Sequence, residues 1–174
     1  GLDTGDMISQ IVIPLDKEET GGSLFGKLAQ AGAELLIKTL PSIEQGTAVA
    51  EKQPEESPTP YAAMITKQMG LMDFRKSAET LERLVRGMNP WPSAYTFVNG
   101  KTLKVWKSSV SQETSDAQPG TVILTDKAGI HVACKEGVLL LTEVQLEGKK
   151  RMDAETFLRG YHMEQGTVFT DHKE

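Results

Sequence analysis

Gly87-Met88-Asn89-Pro90-Trp91-Pro92, with the run Ser93 to Val110 behind it, decides the fold of this 174-residue chain. Just upstream, Ser77 to Arg86 places Ala78, Leu81, Leu84, Val85 and Met88 on one helical stripe, with Ser77 as N-cap. Pro90 and Pro92 stop that helix, because each lacks an N–H and restricts the residue before it. Beyond them, Tyr95-Thr96-Phe97-Val98 and Lys101-Thr102-Leu103-Lys104-Val105-Trp106 flank Asn99-Gly100, a strong hairpin signal. Alternation along the second strand sends Lys101, Leu103, Val105 and Lys107 one way and Thr102, Lys104 and Trp106 the other. A helix thus feeds β-structure through a stiff corner rich in aromatic and basic groups. Trp91 and Trp106 are expected to pack in the corner and the core.

Outward toward the N-terminus, residues 61–74 form a connector. Residues 47–60, rich in Pro, Glu, Lys and Gln, form an extended linker. Gly21-Gly22-Ser23 ends a loop and caps a helix over about 24–40, with Leu24, Leu28, Ala31, Leu35 and Leu36 on one face; Gly46 ends the helical segment. Before it, Leu2-Asp3-Thr4-Gly5-Asp6 is a turn and residues 7–14 read as a strand. A strand and a helix cannot bury themselves alone, so this part reads as the end of an α/β domain whose front precedes Gly1.

Outward toward the C-terminus, residues 108–119 read as a polar loop. Residues 120–124, 130–134 and 138–146 read as short strands with regular turns, which predicts a small closed barrel. Asp153 caps a last helix carrying Ala154, Phe157, Leu158 and Tyr161 on one stripe; from about His162 the chain reads as a frayed tail.

The net charge of −5 gives no global case for a polyanionic partner, but the charge is uneven. Residues 61–110 hold 8 Lys/Arg against 3 Asp/Glu, between acidic flanks of 4 against 10 and 7 against 11. Such an island can make an attractive patch on an acidic protein, or merely solvated helix and strand faces. Cys134 is the lone cysteine, so neither an internal disulfide nor a cysteine zinc site is possible, which suits a reducing compartment. His131 alternates with apolar residues and reads as structural. His162 and His172 lie in the tail, and no metal site is expected from any of the three. There is no phosphate-cradling glycine loop and no Ser/His/Asp nucleophile pattern. Asp3-Thr4-Gly5 also occurs in aspartic proteases, but their chemistry needs two such loops sharing a proton.

The residues from Leu81-Glu82-Arg83 through Gly87-Met88-Asn89-Pro90-Trp91-Pro92 to Lys104-Val105-Trp106-Lys107 closely resemble the methionyl-tRNA formyltransferases. The resemblance runs in order from Gly1-Leu2-Asp3-Thr4-Gly5-Asp6-Met7 to Gly148-Lys149-Lys150-Arg151-Met152. It implies the C-terminal part of a longer, cytoplasmic protein. The expected fold is the last strand and helix of a Rossmann-like formyltransferase domain (1–46), a linker (47–74), and a small mostly-β, OB-fold-like barrel domain with flanking helices (75–174). Other folate-linked formyl enzymes, such as formyltetrahydrofolate hydrolase domains, share the Leu2–Asp6 loop but are not expected to carry the later motifs in this order. A free-standing nucleic-acid-binding module is the non-enzyme alternative.

By the same resemblance, the implied reaction moves a formyl group from 10-formyltetrahydrofolate to the amine of initiator methionyl-tRNA, with no membrane or DNA partner. Formyl transfer to an amine needs donors for a tetrahedral oxyanion and a relay for the amine proton. The family's catalytic set is Asn, His and Asp; Asp3 falls on the aspartate, and the other two would precede Gly1. Asp3 would pair with that His, raise its pKa and fix its orientation. The fragment alone is then expected to be inert and to serve tRNA binding. The candidate tRNA contacts are Lys67, Arg75, Lys76, Arg83, Arg86, Lys101, Lys104, Lys107, Lys149, Lys150 and Arg151, with exposed aromatics available for stacking. Family members often carry basic residues where this chain has Met64 and Leu71, a departure that leaves Lys67 as the connector's cation.

Overall fold

Ser77 caps α2 (Ala78–Gly87) as expected, accepting the Thr80 N–H at 3.3 Å. The stripe beneath it is buried: Ala78, Leu81 and Val85 are at most 1% exposed. The helix belongs to a computed structural model that describes residues 4–56 and 59–173. The chain divides into two compact units, one up to Met64 and one from Ile65 onward.

The second unit is built on six antiparallel strands: β1 (Ala94–Val98), β2 (Lys101–Val110), β3 (Val122–Thr125), β4 (Ile130–Ala133), β5 (Val138–Leu146) and β6 (Met152–Asp153). Their spatial order is β1-β2-β5-β4-β3, with β6 added to β5. Asn99 and Gly100 have φ of 48° and 68°, the two left-handed residues that a tight hairpin turn between β1 and β2 demands. β2 outruns its expected end: Ser108, Ser109 and Val110 pair with Leu141, Leu140 and Leu139, so the polar loop starts only at Ser111. At Trp106 the register slips. Val105 faces Val144 and Lys107 faces Glu143, which leaves Trp106 as an extra residue in a β-bulge. Leu103, Val105, Ile130, Val132, Leu139, Leu141 and Val144 supply the sheet's share of the core, closed by α2 and by α3 (Ala154–Gly160), which buries Phe157.

Two expectations fail in this unit. The strands form an open sheet and not a closed barrel, with β1 and β3 as its ends. The segment expected to fray lies along both of those ends. Thr170 and Phe97 exchange N–H···O bonds of 3.0 and 3.1 Å, while the Phe169 N–H donates to Gly120 and the Gly166 N–H to Val122, each at 2.8 Å. Met163 and Phe169 are 4% exposed, and the Phe169 ring packs 5.9 Å from that of Phe74. Paired backbone and buried apolar groups fix a segment however short or polar its neighbours are.

The first unit is dominated by α1 (Gly21–Glu44). It starts three residues earlier than expected, because Thr20 and Ser23 form a reciprocal capping box with Thr20 as N-cap. No residue of α1 is buried; Phe25, Leu36 and Ile37 are 76%, 58% and 70% exposed. The strand expected over 7–14 does not form. Met7 makes a single bridge to Glu51 through two 2.7 Å bonds, and Ile8, Ile11 and Val12 are exposed. A strand exists only as one side of a ladder, and among the described residues of this unit the pairing stops at that one bridge.

Candidate nucleic-acid interface

The outward face of β2 and β5 gathers part of the basic set around one ring. Cross-strand register puts Lys104 opposite Gln145 and Lys107 opposite Glu143. Alternation along β2 sets Trp106 on this face with Lys104, opposite the buried Leu103 and Val105, and it is half-buried there. Its indole Nε1–H donates to Gln145 Oε1 at 3.2 Å, and its carbonyl accepts from Asn89 Nδ2 at 3.2 Å. Gln145 Nε2 in turn donates to the Lys149 carbonyl at 3.1 Å, which ties down the loop carrying the basic run.

Two cations address the ring. The Arg151 guanidinium lies 4.6 Å from its centroid and the Lys104 Nζ 5.7 Å, both within reach of the electron-rich face. Glu143 grips Arg151 side-on, accepting from Nε at 2.5 Å and from Nη2 at 2.8 Å, and lies 3.9 Å from Lys107 Nζ. That pairing holds the Glu143 carboxyl below its ordinary range and pushes the Arg151 guanidinium above its own, so both stay ionised. Lys101, Lys149 and Lys150 stand exposed nearby in sequence. A cleft of about 270 Å³ opens beside the platform, lined by Thr102, Lys104, Gln145, Leu146, Glu147 and Gly148.

The rest of the candidate set is arranged differently. Arg83 and Arg86 pair one turn back along α2 with Glu79 (3.2 Å) and Glu82 (2.5 Å). Such i,i+4 pairs stabilise the helix and spend charge on it. Arg75 is held by Asp73 at 2.7 Å, which lowers the Asp73 pKa, and reaches Asp171 at 3.8 Å. Lys67, in the 3-10 turn Lys67–Gly70, and Lys76 are exposed. Asp3 lies outside the described residues. The two tryptophans depart from expectation: Trp91 is 57% exposed, and Trp106 lies on the outer face with Lys104, opposite the buried Leu103 and Val105. Sequence reasoning missed Glu143 and Gln145, although the alternation Glu143-Val144-Gln145 marks both as outward-facing.

The fold also assembles a trio that spacing did not suggest. Buried His131 has Nδ1 3.3 Å from Ser111 Oγ and Nε2 3.4 Å from Asp126 Oδ1. It is no nucleophile relay. The Asp126 oxygen already accepts the Ala128 and Gly129 N–H groups at 2.8 and 3.1 Å, and the Nε2 contact lacks hydrogen-bond geometry. Burial also pushes the Cys134 thiol up to about 11, which leaves it an inert core group.

Comparison with known proteins converges on one family. Residues 64–162 match the family described as formyl transferase, C-terminal domain. A methionyl-tRNA formyltransferase of Lachnospira eligens is 49% identical over 173 residues, covering 97% of this chain and 55% of that protein. The Bacillus subtilis methionyl-tRNA formyltransferase is 45% identical over 174 residues, covering 99% and 55%. The chain therefore spans about half the length of the relatives it matches. Among solved structures, HypX from Aquifex aeolicus in complex with tetrahydrofolic acid aligns with a TM-score of 0.64 at 17% identity, covering 90% of this chain and 28% of that one. An N-formyltransferase from Helicobacter canadensis, in complex with folinic acid and dTDP-3-aminofucose, gives 0.59 at 19% identity, covering 81% and 51%.

Proposed function

Because the chain belongs to the formyl transferase C-terminal domain family, we propose that it is the rear part of a methionyl-tRNA formyltransferase, acting in the cytoplasm at translation initiation. The observation that carries this reading is identity of nearly one half, spread over almost the whole chain, with proteins of that name. In the whole protein a formyl group would pass from 10-formyltetrahydrofolate to the methionyl amine of initiator tRNA. The amine nitrogen forms the new bond to the formyl carbon, the bond from that carbon to the folate nitrogen breaks, and the proton lost by the amine is replaced on the departing folate nitrogen. Asp3 would orient and charge-stabilise a histidine supplied by the preceding part of the protein. The donor would be held mainly by that preceding part.

Residues 1–46 are read as the end of the catalytic domain, 47–74 as a linker and 75–174 as an OB-like domain. Support for the last comes from the tail, which hydrogen-bonds to both ends of the open sheet and so acts as its closing edge. The role assigned to this domain is to hold tRNA by phosphate contacts from Lys101, Lys104, Lys107, Lys149, Lys150 and Arg151, with Lys67, Arg75, Lys76, Arg83 and Arg86 as the outer set. The relatives at 45 to 49% identity carry the methionyl-tRNA name, which favours the tRNA reading over another folate-dependent formyl enzyme. Filter binding of initiator tRNA against salt tests it. Each neutralised phosphate contributes a slope of about −0.7 to −0.9 in log K against log salt, so four contacts give about −3. An affinity that stays flat from low to moderate salt overturns the reading.

A further inference from the structure

Resting on that nucleic-acid reading, we infer that Arg151 is the phosphate-reading group of the β2–β5 face, a guanidinium held ready for an RNA backbone phosphate by Glu143 and Trp106. An exposed arginine ordinarily loses much rotamer freedom when it binds. Arg151 has largely lost that freedom already. Glu143 fixes it through two N–H groups, and the Trp106 ring lies 4.6 Å from its central carbon. Both holders are themselves held: Glu143 by its place on β5, with its side chain only 21% exposed, and Trp106 by Gln145 and Asn89. The side-on grip uses Nε and Nη2 and leaves Nη1 outside the pair.

The surroundings suit an anion. Lys104 and Lys107 flank the pair, and the backbone of Lys149 is tied to Gln145. Glu147, the neighbouring carboxylate, is engaged by the Thr102 N–H and by Lys173. A planar two-pronged donor recognises a phosphodiester in a way that a lysine does not.

This assignment makes Glu143 a positioning residue, which gives a result that bulk electrostatics does not. Removing a carboxylate from a basic patch should tighten RNA binding; removing the holder of Arg151 should weaken it. The measurement is fluorescence anisotropy of a labelled tRNA transcript on the full chain at fixed salt. Ordering one rotamer-rich side chain is worth roughly a 2- to 10-fold change in affinity, so Glu143→Gln should weaken binding by about that factor. Arg151→Lys, which keeps the charge and loses the fork, should weaken it similarly. On an Arg151→Ala background, Glu143→Gln should reverse sign and strengthen binding. Unfolding midpoints accompany each variant; should Glu143→Gln fail to fold, exposed Arg151→Lys carries the test. Binding by Glu143→Gln equal to or tighter than the parent chain overturns the inference, as does Arg151→Lys at full affinity. Equal competition by phosphatidylserine vesicles also overturns it. Absent or salt-insensitive tRNA binding by the parent chain instead sinks the nucleic-acid reading beneath it.

Discussion

Helices α1 and α2 are both amphipathic, and they end in opposite circumstances. The ten residues of α2 bury Ala78, Leu81 and Val85 in the core of the second unit. The 24 residues of α1 bury none and leave Phe25, Leu28, Leu36, Ile37 and Leu40 at least half exposed. Both stripes are legible in the sequence, that of α2 the more sharply, so periodicity reports which face wants cover and is silent on whether the cover lies in the same chain. The second unit is complete as a packing problem. The first presents a helix with no buried residue and a strand-like run whose one described bridge joins Met7 to Glu51. The proposed division of labour follows the same line, with chemistry at the first unit's edge and binding in the second.

The sharpest way to break that division is Asp3→Ala in the whole protein. If Asp3 orients a catalytic histidine, formylation should fall by about 10²- to 10⁴-fold while tRNA affinity stays unchanged. Near-normal turnover retires the assignment, and a matching loss of tRNA affinity would erase the contrast between the units.

Legibility followed the same physics. The Asn99-Gly100 hairpin was plain because a two-residue turn needs left-handed φ at both positions, and those two residues tolerate it best. The caps at Ser77 and Asp153 were plain because a cap is a local bond, closed to Thr80 and Thr156 within three residues. What depended on a distant partner was lost. The neighbours of Trp106 are such a case: alternation within β2 sets it opposite Leu103 and Val105, but Gln145 and Arg151, which meet its ring, come from β5 and the loop beyond it. The tail Thr167-Val168-Phe169-Thr170 is β-prone and alternating, but its partners, Phe97 and Gly120 to Val122, come from two different ends of the sheet. For the site, the basic residues were easy to name and their division was not: Arg83 and Arg86 are spent on α2, while Lys104 and Arg151 meet at one ring only after folding.

Truncating side chains in the two units sharpens the comparison next. Phe169→Ala removes a ring packed on Phe74 and should cost about 3–5 kcal/mol, and Leu81→Ala about 2–5 kcal/mol, in urea unfolding of the second unit. Leu36→Ala on α1 should change stability by no more than about 0.5 kcal/mol. A small effect at Phe169 would mean that the tail frays after all. A large one at Leu36 would mean that α1 is covered. The caps give a smaller contrast: Ser77→Ala should cost about 1 kcal/mol in the same transition. Thr20→Ala should lower helix content without moving that transition.

The smallest expected effect separates local from long-range order by pH. Glu19 and Glu147 both have carboxyl pKa values drawn below the ordinary range, for different reasons. Glu19 is held by Lys27, 8 residues away, and by Ser23, all at the start of one helix. Glu147 is drawn to about 2 by the Thr102 N–H, 45 residues away, and then by Lys173, 26 residues away. A carboxylate whose pKa is lowered by folding contributes stability that is whole above its unfolded value. That stability fades as pH falls through the folded one, here from near 4.5 down to about 2. Carbon-13 NMR of the Glu147 carboxyl should therefore show a midpoint near 2, and Lys173→Met should move it part of the way back, because the Thr102 bond remains. Urea that melts the second unit should return Glu147 to the ordinary value. Glu19, whose partners are local, should follow the helix content of α1 instead. Were Glu147 to titrate like an ordinary glutamate in the folded chain, neither its bond from the Thr102 N–H nor its pair with Lys173 of the tail would stand as described, and the long-range order at this end of β5 would be lost from the comparison.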